Sequence, residues 1–122
     1  MQQSKPRILI IDDDKDFCLM LSLVFDDREF EVVSAFTLEE ARQLLCLECP
    51  SIVLLDNKLP DGRGLDFIET IFDIDPRICI LMISGEFNYA DRELALRRGV
   101  TQFIGKPCSF KTIAEAVRSV LV

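Results

Sequence analysis

The chain has 122 residues, 49% of them apolar and 29% charged, which is enough for one domain with a hydrophobic core. Its net charge of -7 excludes a phosphate-gripping nucleic-acid surface and suits a metal cation or a basic protein partner better than an anionic membrane. No apolar run approaches the roughly 20 residues of a membrane span, and the polar opening Met1 to Arg7 does not read as a secretory leader, so a cytoplasmic protein is expected.

The first apolar run, Ile8–Ile11, stops at three consecutive aspartates, Asp12, Asp13 and Asp14. Neighbouring like charges repel, so the acids either cap a helix or surround something positive. Asp14 is well placed to cap, because Phe17, Met20, Leu21 and Val24 then repeat at helical spacing until Asp26-Asp27-Arg28. The second run, Val32–Ala35, has the least apolar content and is expected nearer a sheet edge. Thr37 to Glu40 forms a capping box ahead of Ala41, Leu44 and Leu45. The third run, Ile52–Leu55, ends in Asp56, and Pro60-Asp61-Gly62 reads as a turn. Leu65, Ile68 and Ile71 stripe the helix that begins at Gly64. The fourth run, Ile78–Ile83, is followed by Ser84-Gly85. A helix over Ala90–Arg98 should end at Gly99. The fifth run, Phe103–Ile104, leads to Lys106-Pro107. Ser109 can cap a last helix that turns Ile113, Ala116, Val117 and Val120 inward.

Strand and helix thus alternate five times. Most of the strand runs are continuous rather than alternating, as in strands buried on both faces, so a (βα)5 chain with a parallel sheet and helices on both faces is expected. One domain over residues 1–122 is expected, with its core over about 6–121 and no repeat or linker. The five cysteines are an odd number. Cys18, Cys79 and Cys108 fall in apolar surroundings as small core or near-core residues. Cys46 and Cys49 have CxxC spacing, but there is no second pair and no histidine, so reduced thiols are favoured over zinc or a redox dithiol.

In an open α/β sheet, ligands bind beyond the carboxyl ends of the strands. Those ends carry Asp12, Asp13 and Asp14, then Asp56, then Ser84-Gly85, then Lys106-Pro107. Together the acids would make a hard-cation site suited to Mg²⁺, for which Mn²⁺ could substitute. Singly, each residue has a plainer reading. The aspartates could be helix caps, Asp56 and Ser84-Gly85 turn residues, and Lys106 a solvated charge.

The segments "ILIIDDD", "IVLLDNKLPDGRG", "ILMISG" and "FIGKP", in that order, resemble the receiver domain of two-component response regulators over essentially the whole chain. The resemblance implies a flavodoxin-like, doubly wound, five-stranded parallel sheet in the order 2-1-3-4-5. It implies that Asp56 accepts a phosphoryl group from a phosphohistidine of a sensor histidine kinase or a histidine phosphotransfer protein. Asp13 would then ligate Mg²⁺ directly with Asp56 and the backbone carbonyl of Lys58, and Asp12 would orient a metal-bound water. Lys106 and Ser84 would each meet a phosphoryl oxygen, and a cis peptide would join Lys106 to Pro107. Phe103, three positions before the lysine, would act with Ser84 as a switch, or simply be a core residue.

Lys58, Gly85 and Glu86 would border the pocket. Lys58 and Glu86 could pair across its entrance or be two solvated charges. Phe87 and Tyr89 could form a partner patch or local packing. The expected output is a homodimer or effector contact through the fourth helix, fifth strand and fifth helix, with no enzymatic role beyond the domain's own phosphotransfer and slow self-dephosphorylation. Two other readings compete: a receiver-shaped interaction module that does not use phosphate, and a haloacid-dehalogenase-like phosphohydrolase built on the Asp12-x-Asp14 spacing.

Overall fold

In the computed structural model, residues 5–85 and 88–121 are described. The β-branched runs form a five-stranded parallel sheet: β1 (Arg7–Ile11), β2 (Glu31–Ala35), β3 (Ile52–Leu55), β6 (Cys79–Ser84) and β7 (Gln102–Gly105), in the order β2-β1-β3-β6-β7. Counting the sheet strands alone, that order is 2-1-3-4-5. Two further short strands, β4 (Lys58–Leu59) and β5 (Gly62–Arg63), pair antiparallel as a small hairpin after β3. The hairpin lies where the sequence suggested only a turn.

Five helices cover the sheet: α1 (Lys15–Val24), α2 (Leu38–Glu48), α3 (Gly64–Ile74), α4 (Tyr89–Arg97) and α5 (Phe110–Val120). Alternate residues of the central strands point to opposite faces. Leu9, Ile11, Val53, Leu55, Ile80 and Met82 pack with residues of α2, α3 and α4, such as Leu45, Ile68 and Ala95. Ile8, Ile10, Ile52, Leu54, Leu81 and Ile83 pack with residues of α1 and α5, such as Leu21, Ile113 and Val117. Both faces of the sheet are thereby buried, which is why the strand sequences do not alternate.

Helix starts follow their capping residues. Asp14 accepts from the Phe17 amide at 3.0 Å. Thr37 accepts from the Glu40 amide at 3.1 Å, and Glu40 reaches back to the Phe36 amide at 2.8 Å, one residue before the cap. Ser109 accepts from the Thr112 amide at 3.0 Å. One part of the expected α1 stripe differs. Met20 is 52% exposed, whereas Cys18 is buried with Leu21. The buried arc runs through Cys18, Leu21 and Phe25, and Met20 falls outside it with Leu19 and Leu23.

Gly64 fixes how closely α3 can follow the third strand. A Cβ there would lie 2.0 Å from the Asp56 carbonyl oxygen, a backbone atom that cannot move aside. Gly105, by contrast, has nothing within 4 Å of an added Cβ. Gly64→Ala is therefore expected to cost roughly 3 kcal/mol, and Gly105→Ala to stay within about 0.5 kcal/mol of the wild type. Chemical denaturation of the two variants checks this; equal stabilities would contradict the close approach.

Candidate functional site

Register determines which side chains meet. Ile11 of β1 lies opposite Leu55 of β3, so Asp12 and Asp56 leave adjacent strands at the same level. The Asp56 amide donates to Ile11 O at 2.9 Å and the Asp12 amide to Ala35 O at 3.0 Å, which extends the ladder into the acidic turn. Ser84 of β6 lies opposite Gly105 of β7, and the Lys106 amide donates to Ser84 O at 2.8 Å. The peptide bond from Lys106 to Pro107 is cis.

These ends border one cleft of about 410 Å³, lined by Asp12, Asp13, Asp14, Asp56, Lys58, Leu59, Pro60, Ser84, Gly85 and Lys106. The carboxylate oxygens of Asp12, Asp13 and Asp56 lie within 4.8 Å of one another, the one such trio among the described residues. Three hard oxygen donors at that spacing fit a small divalent cation, whose remaining positions would go to water or phosphate oxygens. Asp12 is buried at 3% exposure, whereas Asp13 is exposed. Lys106 Nζ sits 2.7 Å from Asp12 Oδ2 and 4.0 Å from Asp56 Oδ2. The Asp14 amide donates to Asp12 Oδ1 at 2.9 Å, and the Asn57 amide to Asp56 Oδ1 at 2.8 Å.

The charges shift one another. Burial, then the neighbouring Asp12 charge, pushes the Asp56 carboxyl from its ordinary 3.8 up to about 6, against the opposing pull of Lys106 and the Asn57 amide. Burial pulls Lys106 down, but its bond to Asp12 and the charges of Asp56, Asp12 and Asp14 outweigh that, and its pKa rises. The Cys18 thiol donates to the Asp12 carbonyl at 3.4 Å. Burial first, then Asp12, pushes this thiol up to about 12, so it stays protonated.

Ser84 is buried at 2% exposure beside the cleft, with Gly85 and the Lys58 side chain exposed at its rim. Phe103 is half-buried against the core on the α2, α3 and α4 face. Glu86 and Phe87 lie outside the described residues, and Tyr89 is 71% exposed at the start of α4. Cys46 and Cys49 are exposed free thiols at the end of α2, away from the acidic trio, while Cys79 and Cys108 are half-buried.

Three residues for which the sequence suggests no place at the site support it. Asn57, 6% exposed, accepts from the Leu65 amide through its side chain at 3.0 Å and from the Gly64 amide through its carbonyl at 2.8 Å, tying the turn after Asp56 to α3. Asp61, at the hairpin tip, accepts from the Leu38 and Glu39 amides at 2.8 and 3.0 Å. It therefore caps α2 with both oxygens from a distant part of the chain. Phe17 places its ring face under Lys106 Nζ, 4.1 Å from the centroid. A polar residue directly after Asp56 was the available signal for Asn57. Nothing local signals the other two contacts.

The family model described as the response regulator receiver domain matches residues 8–118. The response regulator protein PilR of Pseudomonas aeruginosa is 31% identical over 97% of this chain, which spans 26% of that protein. The photosynthetic apparatus regulatory protein RegA of Rhodovulum sulfidophilum is 29% identical over 93% of this chain and 62% of its own length. The chain thus spans less than two thirds of these curated relatives. Among solved structures, a CheY-like receiver domain protein from Methanospirillum hungatei superposes with a TM-score of 0.91 at 27% identity, covering 97% of this chain and 94% of its own. A Burkholderia pseudomallei response regulator solved with a phosphorylated aspartic acid and a calcium ion superposes at 0.83 and 25% identity, over 97% and 74% of the two chains.

The raised Asp56 pKa has a consequence for stability. The folded chain holds this proton more tightly than the unfolded one. Its contribution therefore favours the fold at low pH and is lost as pH rises from 3.8 through about 6. In metal-free buffer, Asp56→Asn is expected to gain stability over wild type as pH is raised through that window, reaching roughly 1–3 kcal/mol above it. Melting curves in chelator across that range test this; a constant gap between the two proteins would refute it.

Proposed function

The chain belongs to the response regulator receiver domain family, and we propose that it is a phosphorylation-operated signalling domain with Asp56 as its phosphoacceptor. One observation carries the reading. Asp12, Asp13 and Asp56 are drawn within 4.8 Å of one another, and a lysine ammonium stands against the first of them in the same cleft. Three acids at that spacing suit a divalent cation, and such a cation together with the ammonium suits the handling of a dianionic phosphoryl group.

In this reading Asp13, Asp56 and the backbone carbonyl of Lys58 hold Mg²⁺, with Asp12 acting through a water. When bound, the ion offsets charge on the phosphoryl oxygens. The Asp56 carboxylate, whose ionised form a bound cation would favour, attacks phosphorus in line. A bond forms from its oxygen to phosphorus, and the bond from phosphorus to the donor imidazole nitrogen breaks. Lys106 exchanges its contact with Asp12 for a phosphoryl oxygen as a compact point charge. The Ser84 hydroxyl donates to another oxygen. Phe103 turns with Ser84 to alter the surface of α4, β7 and α5, a biased two-state change that a homodimer or an effector reads. Water later hydrolyses the acyl phosphate, with the same pocket assisting.

The chain contains no histidine. The donor imidazole therefore lies outside these 122 residues, which fits a sensor kinase or a phosphotransfer protein. A cytoplasmic site for the exchange is part of the same proposal, and no helix among the described residues is long and apolar enough to cross a membrane. The haloacid-dehalogenase alternative needs the second acid of Asp12-x-Asp14 for chemistry, yet Asp14 is engaged as the cap of α1. The phosphate-independent module leaves the acid trio and Lys106 without a purpose.

Intact mass after incubation with acetyl phosphate tests the proposal. A gain of about 80 Da is expected in the wild type with Mg²⁺, none with chelator, and none in Asp56→Asn. A wild type that gains nothing while also failing to bind Mg²⁺ would favour the interaction module.

A further inference from the structure

We propose that Phe17 is a positioning residue for the Lys106 ammonium, holding it over the aromatic face while it changes anionic partner. The proposal rests on the phosphoryl-transfer reading above and names what keeps the lysine in place during that step.

The geometry is specific. Lys106 Nζ lies 4.1 Å from the Phe17 centroid, well inside the roughly 6 Å limit for cation–π attraction. The lysine side chain is 23% exposed, so the attraction acts in partly desolvated surroundings, where it is strongest. The ring itself is fixed from two sides. Its backbone amide donates to Asp14 at 3.0 Å, at the N-cap of α1, so Phe17 is registered to the acidic turn. The ring packs on Phe110, with centroids 5.7 Å apart and planes tilted by 38°. Phe110 opens α5, just beyond Lys106 and Pro107. Two of the chain segments that deliver charge to the cleft, the acidic turn and the one carrying Lys106, therefore converge on this ring.

The need for such a residue follows from the charges. Lys106 is held at 2.7 Å by Asp12, and Asp56 is at 4.0 Å. In the phosphoryl-transfer reading both carboxylates are drawn into metal and phosphoryl contacts. The ammonium then has to leave Asp12 and find a new oxygen. A lysine stem with four rotatable bonds would otherwise be free to swing into solvent. The aromatic face attracts the cation without a directional hydrogen bond and without competing for the metal, so it acts before, during and after the exchange. A leucine at this position would supply apolar contact but no negative face. If the ring serves only to pack α1 on α5, its electronic character is irrelevant.

That difference sets the test. Phe17 is replaced in the full chain by phenylalanines carrying one, two and three ring fluorines, which weaken the negative face while nearly preserving shape. Phe17→Tyr and Phe17→Leu accompany them. Two quantities are read: the rate of mass gain from acetyl phosphate with Mg²⁺, and the ring-current shift of the Lys106 side-chain protons in the unphosphorylated protein. The rate is expected to fall stepwise with fluorine, by about three- to tenfold in all, with Phe17→Leu lowest and Phe17→Tyr within about twofold of wild type. The Lys106 shift should vanish in Phe17→Leu. A rate indifferent to fluorination overturns the proposal, even if Phe17→Leu is slow, because only packing would then be at work. A wild type that takes no phosphoryl group overturns the functional reading instead. The Lys106 shift needs no phosphate, and its persistence in Phe17→Leu overturns the ring contact independently.

Discussion

The pairing of β1 with β3 is the constraint from which the rest of the site follows. Parallel register brings Asp12 and Asp56 to the same level on neighbouring strands, and two carboxylates so close, with Asp13 beside them, repel unless a cation intervenes. Lys106 supplies one positive charge from 94 residues away in sequence, at 2.7 Å from Asp12. Burial, and after it the Asp12 charge, raises the Asp56 carboxyl against the pull of Lys106, and an added cation would favour its ionised form. The site is thus poised for a further cation. The fold tolerates the strain because both sheet faces are closed by apolar packing that does not involve these charges.

Much of this arrangement is legible in the amino-acid sequence. The strand runs Ile8–Ile11 and Ile52–Leu55 carry their own boundaries, because each is buried on both faces and ends at an aspartate. The caps Asp14, Thr37 and Ser109 were equally readable, since a cap acts within three residues of itself. What the sequence hid was non-local. Asp61 looks like a turn residue from its neighbours Pro60 and Gly62, yet its carboxylate serves a helix 22 residues earlier. Phe17 looks like one member of an apolar stripe, yet its exposed-side partner is a lysine at the other end of the chain. Met20 shares the helical period yet is exposed for a related reason: the period alone does not say which edge of a stripe the neighbouring α5 covers.

The α4 segment shows how weakly some parts are held. Its one buried residue is Ala95, with Leu94 packed beside it on the core, and two arginine contacts join it to α3 and the hairpin. Arg63 meets Asp91 at 2.9 Å, and Arg98 donates to Leu65 O at 2.8 Å. A partly exposed ion pair such as Arg63–Asp91 contributes about 0–1 kcal/mol. A helix fastened by such contacts can shift at low energetic cost, as an element that reports on the cleft would have to do. The Arg63 side of that fastening begins in the hairpin, whose other strand carries Lys58 at the cleft rim.

The hairpin also bears on how the chain can vary in length. Surface loops normally absorb insertions, since each added residue changes closure entropy only slightly. The span from Asp56 to Gly64 is a surface loop by position but not by behaviour. Asn57 closes it onto the start of α3, and both oxygens of Asp61 pin its tip to the start of α2. Adding one residue would break one anchor or the other, and with it the placement of the Lys58 carbonyl. The segment therefore works as a ruler of fixed length between the third strand and two helices.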